Sequence, residues 1–181
     1  MPANIGSAAL KGIEAIGVTV EVDVLKGLPS FTVVGLPDKS IQESRERMLA
    51  ALTNLNYEPP RRKTIVSLAP ASIKKEGSLY DLPIAVAYLI ASRQIKPKMK
   101  LNKAWLVGEL GLDGTIRPVR GVLPIVLGAV KTGMEDIFIP EENSAEAAPL
   151  AGKIRIWPLK SLADFISHVT QDASTSQLQA L

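Results

Sequence analysis

The sequence predicts an α/β fold of the α+β kind, with a mixed sheet and packed helices in one domain over residues 1–170. Two patterns carry this prediction. Residues 17–25 alternate between apolar and polar side chains as a half-buried strand does, whereas 82–91 is apolar almost throughout, as in a buried helix. The composition agrees, because 46% of the 181 residues are hydrophobic, enough for a sizeable core. Residues 171–181 are mostly polar or small and are expected to form a linker or tail.

The strands are predicted from alternation and from short apolar runs. In 17–25 the valines face one way, and the carboxylates of Glu21 and Asp23 on the other face are expected to be solvated rather than bound to a metal. A turn at 26–29 is expected to return the chain through 31–35, so that these two strands form a hairpin. The expected strands are 4–12, 17–25, 31–35, 64–69, 104–110, 115–119, 136–139 and 153–157.

The helices are predicted from helical spacing and from capping residues. Asp38 is expected to cap the first helix, with Arg45 and Arg47 on its outer face. Asn143 and Ser161 are expected to cap two later helices in the same way. The expected helices are 38–55, 82–91, 121–131, 145–150 and 161–168.

The stretch from Lys74 to Arg93 organises the chain, because a glycine loop opens its most apolar helix there. Ser78 lies three residues before Asp81, the spacing of a capping box in which each side chain accepts a backbone N–H. Pro83 suits a first helical turn, where a missing N–H costs little. Such loops often face a ligand or a catalytic group, so this loop is the first place to search for a site.

Composition and charge narrow the functional classes. The absence of cysteine excludes disulfides and thiolate metal sites, and the single histidine, His168, is placed where its charge would favour a helix dipole. The sequence has neither a signal-peptide pattern nor an apolar stretch as long as a membrane span, so a cytoplasmic protein without a membrane partner is expected. The net charge is +3, but residues 1–103 hold 15 basic and 9 acidic residues, which favours an anionic partner there.

Three glycines are a candidate phosphate-binding string. Gly108, Gly111 and Gly114 recur every third residue, but Asp113-Gly114 predicts a hairpin turn and no Lys-Ser/Thr follows. We therefore expect no phosphate loop and no ATP hydrolysis by this chain alone.

Two further groups are candidates for chemistry or binding. Ser78 with Lys74 or Lys75 as base would make a nucleophilic pair, although a helix cap with solvated lysines explains the same residues. The basic run 61–63 would contact phosphates, with Arg45 and Arg47 possible neighbours, although a solvated start of a strand explains it as well.

Several linked motifs then resemble one family. Together they look like the N-terminal domain of the Mg-chelatase-like, competence-related AAA+ ATPases of the ComM type, over roughly residues 4–168. Two further stretches, 108–121 and 139–143, resemble the proteolytic domain of Lon proteases, which implies a ribosomal protein S5 domain 2-like fold. The motifs of the first kind are 18–22, 27–29, 34–37, 68–71, 75–77 and 80–85.

The resemblance to Lon proteases stops at the catalytic residues. The position of the Lon nucleophilic serine falls on Leu79, and the position of its lysine falls on Leu123. Leucine can neither attack a carbonyl nor accept a proton, and Ser78 lies one residue out of register. The resemblance therefore implies a protease fold without protease catalysis, with a Ser–Lys peptidase using Ser78 as the alternative.

The resemblance also implies partners and cofactors. Family members carry an ATPase module after this domain, and full-length members resemble hexameric helicases that act on branched DNA recombination intermediates. ATP and Mg²⁺ are expected only in that module, and neither a cofactor nor a metal in residues 1–181. By analogy we expect a scaffold and DNA-contact domain that meets its own ATPase module in a homo-oligomeric ring, or else a purely structural oligomerisation domain. The DNA-contact candidates are Arg45, Arg47, Arg61, Arg62, Lys63, Lys74 and Lys75.

Overall fold

A mixed sheet forms the centre of the molecule. The computed structural model describes residues 2–171 and 178–181. Nine strands occur within these residues, and most lie within a few residues of their predicted positions. They are β1 (Ala3–Lys11), β2 (Glu14–Leu25), β3 (Ser30–Val34), β4 (Lys63–Ala69), β5 (Ala104–Leu106), β6 (Glu109–Leu110), β7 (Ile116–Arg117), β8 (Asp136–Pro140) and β9 (Arg155–Leu159).

Helices cover the sheet, and short 3-10 turns precede or follow some of them. The capping box predicted at Ser161 is confirmed, because its hydroxyl accepts the N–H of Asp164 while the Asp164 carboxylate accepts the N–H of Ser161. The helices are α1 (Lys39–Gln42), α2 (Ser44–Asn54), α3 (Asp81–Ala91), α4 (Val122–Lys131), α5 (Ser144–Ala147) and α6 (Leu162–Thr170), with 3-10 turns at Ser78–Tyr80, Glu141–Asn143 and Ala148–Leu150.

Seven strands form the main sheet in the order β3-β4-β2-β1-β5-β8-β9, and β6 and β7 form a separate hairpin. The two pairs β1–β2 and β2–β4 are antiparallel, and the other neighbours in the main sheet are parallel. The predicted mixed α/β architecture is therefore confirmed.

The predicted hairpin between 17–25 and 31–35 is wrong. Strand β4 inserts between them, so that Lys63 pairs with Leu25 on one side and with Ser30 on the other. The cause is the connection through α1 and α2. Parallel strands require a long connection, and this one returns the chain so that β4 lies between β2 and β3. Strand β3 therefore forms one edge of the sheet.

The apolar stretch 82–91 forms the predicted buried helix. Helix α3 lies across β1 and β2, and its residues 81–89 are all buried. Helix α4 packs against the same two strands, where Gly128 allows a close approach: a Cβ at this position would lie 2.7 Å from the Cβ of Ala15.

The parallel strands give the sheet two different ends. The segments that follow the carboxyl ends of β4, β5 and β8 gather at one end, together with the turn between β1 and β2. The segment that leads into β4 and the turn between β2 and β3 lie at the other end. Strand β4 has seven residues, so the two ends are separated by about 20 Å.

Most of the predicted tail, residues 172–177, lies outside the described residues. After it, Leu178 packs against the hydrophobic core, and the N–H of Leu181 donates to the carbonyl of Ile156 in β9 at 3.0 Å. Within the described residues, no helix combines the length and the apolar character needed to cross a bilayer.

Candidate functional site

A cleft opens at the carboxyl end of the parallel strands, beside the loop that precedes α3. It has a volume of about 530 Å³ and lies between this loop, the start of the β6–β7 hairpin and the segment that enters α4. Its walls combine aliphatic side chains with charged ones of both signs. The lining residues are Leu10, Ser40, Lys74, Glu76, Gly77, Ser78, Leu79, Glu109, Pro118, Val119 and Arg120.

Asp38 fixes one wall of this cleft. One of its carboxylate oxygens accepts the N–H of Ile41 at 2.9 Å, which confirms the predicted N-cap of α1. The other oxygen accepts the N–H of Gly77 at 2.9 Å, across 39 residues of sequence. Gly77 has φ = +84°, a conformation that glycine adopts without strain, so the loop turns sharply at this point.

Lys75 fastens the same loop from inside the protein. Its side chain is fully buried, and its ammonium group donates to the carbonyl oxygens of Gly35, at 2.8 Å, and of Pro70. Burial lowers the pKa of Lys75, because the charged form loses solvation. This position argues against Lys75 as a DNA contact, and it also directs the amine away from a role as base for Ser78.

The capping box predicted at Ser78 is wrong. Ser78 begins a 3-10 turn before α3, and its hydroxyl donates to the carboxylate of Glu109, which also faces Arg117 at 3.6 Å. Lys74 pairs instead with Glu76 at 2.5 Å. The hydroxyl that the sequence offered as a nucleophile therefore has a carboxylate as its neighbour, and neither candidate lysine bonds to it in the part of the chain that the structure describes.

Asp81, the other half of that predicted box, lies at the centre of a buried charge pair. Its carboxylate accepts hydrogen bonds from Arg47 Nε at 2.5 Å and Nη2 at 3.0 Å, from the Ser44 hydroxyl at 2.5 Å and from the Leu110 N–H at 3.1 Å. Burial raises the pKa of Asp81, and the Asp81 carboxylate raises the pKa of the Arg47 guanidinium. The expectation that Arg47 lies on the outer face of its helix is wrong, because Arg47 shares the inner side of α2 with Ser44.

Two leucines occupy the positions that match the Lon dyad. Leu79 lines the cleft and is 8% exposed, while Leu123 lies in the first turn of α4 and is 40% exposed. The N–H of Leu123 donates to the Glu146 carboxylate at 2.9 Å. Asn143 occupies the predicted N-cap position of α5, but its side chain makes no capping hydrogen bond. Its amide bonds instead to the N–H and the carbonyl of Val119, and so holds the opposite wall of the cleft.

The densest basic cluster lies at the opposite end of the sheet. Arg61, Arg62 and Lys63 are all exposed where the chain enters β4. Lys26, which the sequence reading did not single out, is exposed in the next turn, and a Cβ on its neighbour Gly27 would lie 3.8 Å from the Cβ of Lys63. We call these four cations the sheet-end basic patch, and none of them forms an ion pair with any other described residue.

The other basic candidates are separate from this patch. Arg45 lies on α2, which packs against α3 and β6, and bonds to Glu46 at 2.6 Å. Lys74 lies at the cleft, 69% exposed. The structure therefore divides the candidates among a sheet end, a helix surface, the cleft and the interior.

The glycine string does not fit a nucleotide. The N–H of Gly111 donates to the carbonyl of Thr115 at 2.8 Å, and the N–H of Gly114 donates to the carbonyl of Gly111 at 3.0 Å. These amides serve the predicted hairpin, so they are not free to cradle a phosphate. No group of three or more acidic or histidine side chains suited to a metal occurs in residues 2–171 and 178–181.

His168 packs in an aromatic cluster. Its ring lies 4.4 Å from that of Trp157 and 5.8 Å from that of Phe138, centroid to centroid. Burial lowers the pKa of His168, opposite in sign to the effect expected from a helix dipole.

Comparison with known proteins identifies the family. The profile described as "Subunit ChlI of Mg-chelatase" matches residues 20–143. YifB of Escherichia coli is 43% identical over 145 residues, and the competence protein ComM of Haemophilus influenzae is 42% identical over 142 residues. These matches cover 80% and 78% of this chain but 28% of each relative, so the chain spans less than a third of their length.

A more distant likeness joins the chain to the Lon proteases. Lon protease 1 of Sorangium cellulosum is 26% identical over 145 residues, which cover 75% of this chain and 17% of that protein. The match supports the resemblance carried by 108–121 and 139–143. The chain therefore belongs to the Mg-chelatase ChlI family and is a Lon-like domain of the ComM type.

Proposed function

We propose that this chain is the non-catalytic scaffold and DNA-contact domain of a Mg-chelatase-like AAA+ ATPase that acts in DNA recombination or natural transformation. The observation that carries the proposal is the unpaired sheet-end basic patch on a Lon-like domain whose two dyad positions are leucines. The name of the relative ComM points to competence in that protein. The ATPase module, its ATP and Mg²⁺, and a ring of several copies are part of the proposal for the whole protein.

The patch has the properties that phosphate contact requires. Arg61 and Arg62 offer forked guanidinium groups, which suit phosphate oxygens, and the ammonium groups of Lys26 and Lys63 add charge beside them. Because no carboxylate among the described residues forms an ion pair with these groups, they are available to contact phosphates. Such contacts position a protein on the backbone without reading its sequence.

The cleft supports the non-catalytic half of the proposal. A serine hydrolase needs a base that takes the hydroxyl proton and a third group that orients that base. Ser78 has Glu109 within bonding distance, but Lys74 is engaged by Glu76 and Lys75 by two carbonyls. We infer that Ser78 fastens the β6–β7 hairpin to the loop before α3.

A serine-reactive fluorophosphonate separates this account from a Ser78 peptidase. We expect no labelling of the folded chain above the level of Ser78→Ala. Labelling that depends on folding and disappears in Ser78→Ala would contradict the non-catalytic proposal.

The DNA-contact half is tested by fluorescence anisotropy with single-stranded, duplex and forked DNA. The variant Arg61→Glu/Arg62→Glu/Lys63→Glu removes the centre of the patch and reverses three charges. A matched control reverses three exposed cations at the other end of the sheet, with the same change in net charge: Lys11→Glu, Lys39→Glu and Arg120→Glu.

We expect the patch variant to lose at least tenfold in affinity, while the control loses markedly less. Circular dichroism of both variants verifies that the fold is retained. Equal losses would mean that only the overall charge matters, and unchanged binding by the patch variant would exclude these residues as the contact. Absence of binding in the wild-type chain at low salt would favour a purely structural domain.

A further inference from the structure

Strand β3 is an unprotected edge of the main sheet. It pairs only with β4, and no other described residue bonds to the backbone of residues 30–34 on its outer side. Its sequence, Ser-Phe-Thr-Val-Val, contains neither a charge nor a proline. Charges and prolines are two of the devices by which proteins prevent edge strands from pairing with another strand, and neither occurs within residues 30–34.

Exposed apolar side chains flank this edge on both sides. Leu28 precedes β3 and is 88% exposed, and Leu36 follows it and is 55% exposed. Leu36 also has φ = +58°, in the left-handed region that leucine seldom occupies. The N–H of Lys75 donates to the carbonyl of Leu36 at 3.1 Å and holds the backbone in this conformation, so the apolar side chain stays in solvent at the end of β3.

The arrangement of these residues is self-complementary. Leu28 and Leu36 each lie four residues from Thr32, and Phe31 and Val33 each lie one residue from it. An antiparallel pairing with its two-fold axis at Thr32 therefore sets Phe31 against Val33 of the second copy, and it brings Leu28 of one copy to the end of the strand pair where Leu36 of the other lies. Phe31 and Val33 are the two partly buried positions of β3. In this register their side chains lie on the same side of the combined sheet in both copies.

We propose that the β3 edge is a docking surface for a second copy of this chain, which joins the two main sheets by antiparallel β3–β3 pairing about Thr32. Pairing of this kind gains backbone hydrogen bonds and covers the flanking leucines. The proposal goes beyond the DNA-contact function and does not depend on it.

Charge favours the antiparallel over the parallel orientation of two copies. Lys63 pairs with Ser30, so the sheet-end basic patch lies at the Ser30 end of β3. Antiparallel pairing places the patches of the two copies at opposite ends of the strand pair, more than about 13 Å apart along the strands. Parallel pairing would bring them within about 5 Å, well inside the screening length of about 8 Å at physiological salt.

The natural absence of cysteine makes a direct test possible. In Thr32→Cys the two thiols would face each other across the axis, at a distance that suits a disulfide. Thr19→Cys is the matched control, because Thr19 is exposed on β2, an interior strand of the sheet. We expect mild oxidation to convert Thr32→Cys into a disulfide-linked dimer at least tenfold faster than the control.

A charge pair at the same position tests the symmetry. By light scattering, Thr32→Lys and Thr32→Glu should each be monomeric, because like charges meet at the axis, whereas their mixture should form the dimer again. Thr19→Lys should leave the wild-type state unchanged.

Equal cross-linking rates for the two cysteine variants would overturn the proposal. So would a wild-type dimer that survives Thr32→Lys, which would place the contact elsewhere, or a mixture of the two charged variants that stays monomeric. None of these measurements involves DNA. Failure of this proposal can therefore be distinguished from failure of the proposed DNA-contact function.

Discussion

Arg45 and Arg47 share helix α2 and each forms an ion pair, yet only one of the two pairs is buried. Arg45 bonds to Glu46 at 2.6 Å, with side chains 44% and 70% exposed. Arg47 bonds to Asp81 at 2.5 Å, with side chains 18% and 0% exposed. We expect Arg47→Ala to destabilise the protein far more than Arg45→Ala, because only the first leaves a carboxylate without its counter-charge in the interior.

The two environments set the magnitudes. Removing one partner of a buried ion pair costs about 3–5 kcal/mol, because the remaining charge keeps its desolvation cost. Asp81 would retain only the hydrogen bonds from Ser44 and Leu110. Loss of an exposed pair costs about 0–1 kcal/mol. For a domain of this size the difference corresponds to on the order of 10 °C in Tm.

Urea unfolding measures this difference directly. The fluorescence of Trp105 and Trp157 reports the transition, since both indoles pack against the core. The double variant Arg47→Met/Asp81→Leu should recover part of the loss, because both charges leave the interior together, while the Ser44 hydroxyl and the Leu110 N–H lose their acceptor. Equal losses of unfolding free energy in Arg47→Ala and Arg45→Ala would refute the reasoning.

The remaining predictions concern His168 and Gly128. Because burial lowers the pKa of His168, the pKa measured by NMR titration should lie below the ordinary value of 6.5. As the pH falls, the unfolded chain should therefore bind the proton before the folded chain does. The wild-type chain should therefore lose stability relative to His168→Phe below about pH 6.5, and a titration at or above that value would contradict this account. Gly128→Val should cost about 1–3 kcal/mol in urea unfolding, since its Cβ would lie 2.7 Å from that of Ala15. Leu127→Ala, on the exposed side of the same helix, should cost clearly less, and similar losses would contradict the packing argument.

Local patterns predicted most elements of the fold, because they record which side of an element is buried. The alternation in 17–25 and the apolar run 82–91 each describe a single element, and both elements formed as expected. The neighbour of β3 in the sheet is β4, a strand that comes after it in the sequence. Nothing in 26–34 distinguishes β2 from β4 as its neighbour, so the hairpin prediction failed.

The site residues that belong to a sequence motif were predictable. The contacts between residues far apart in the sequence were not. Leu79 and Leu123 were identified from linked motifs in the sequence. The bonds Arg47–Asp81 and Ser78–Glu109 join residues 34 and 31 positions apart. The spacing of Ser78 and Asp81 satisfied a local capping rule, but tertiary partners compete for both side chains, and a local rule does not include them.

Lys75 shows the same limit for a charged residue. In the sequence it stands beside Lys74 and resembles a solvated cation, and no local feature indicates that its amine is buried. Only the folded chain brings the carbonyls of Gly35 and Pro70 together as its acceptors. Such an interior lysine is recognised only from three-dimensional contacts. A buried charge needs hydrogen-bond partners, and the partners of Lys75 are not its neighbours in the sequence.

The measurement that tests the central claim most directly is the salt dependence of DNA binding. The affinities of the wild-type chain and of Arg61→Gln/Arg62→Gln/Lys63→Gln are measured across a salt series with the same DNA. If each side chain contacts one phosphate, the slope of log affinity against log salt should fall in magnitude by about 2–3 in the variant. Identical slopes for the two proteins would contradict a DNA contact through this patch.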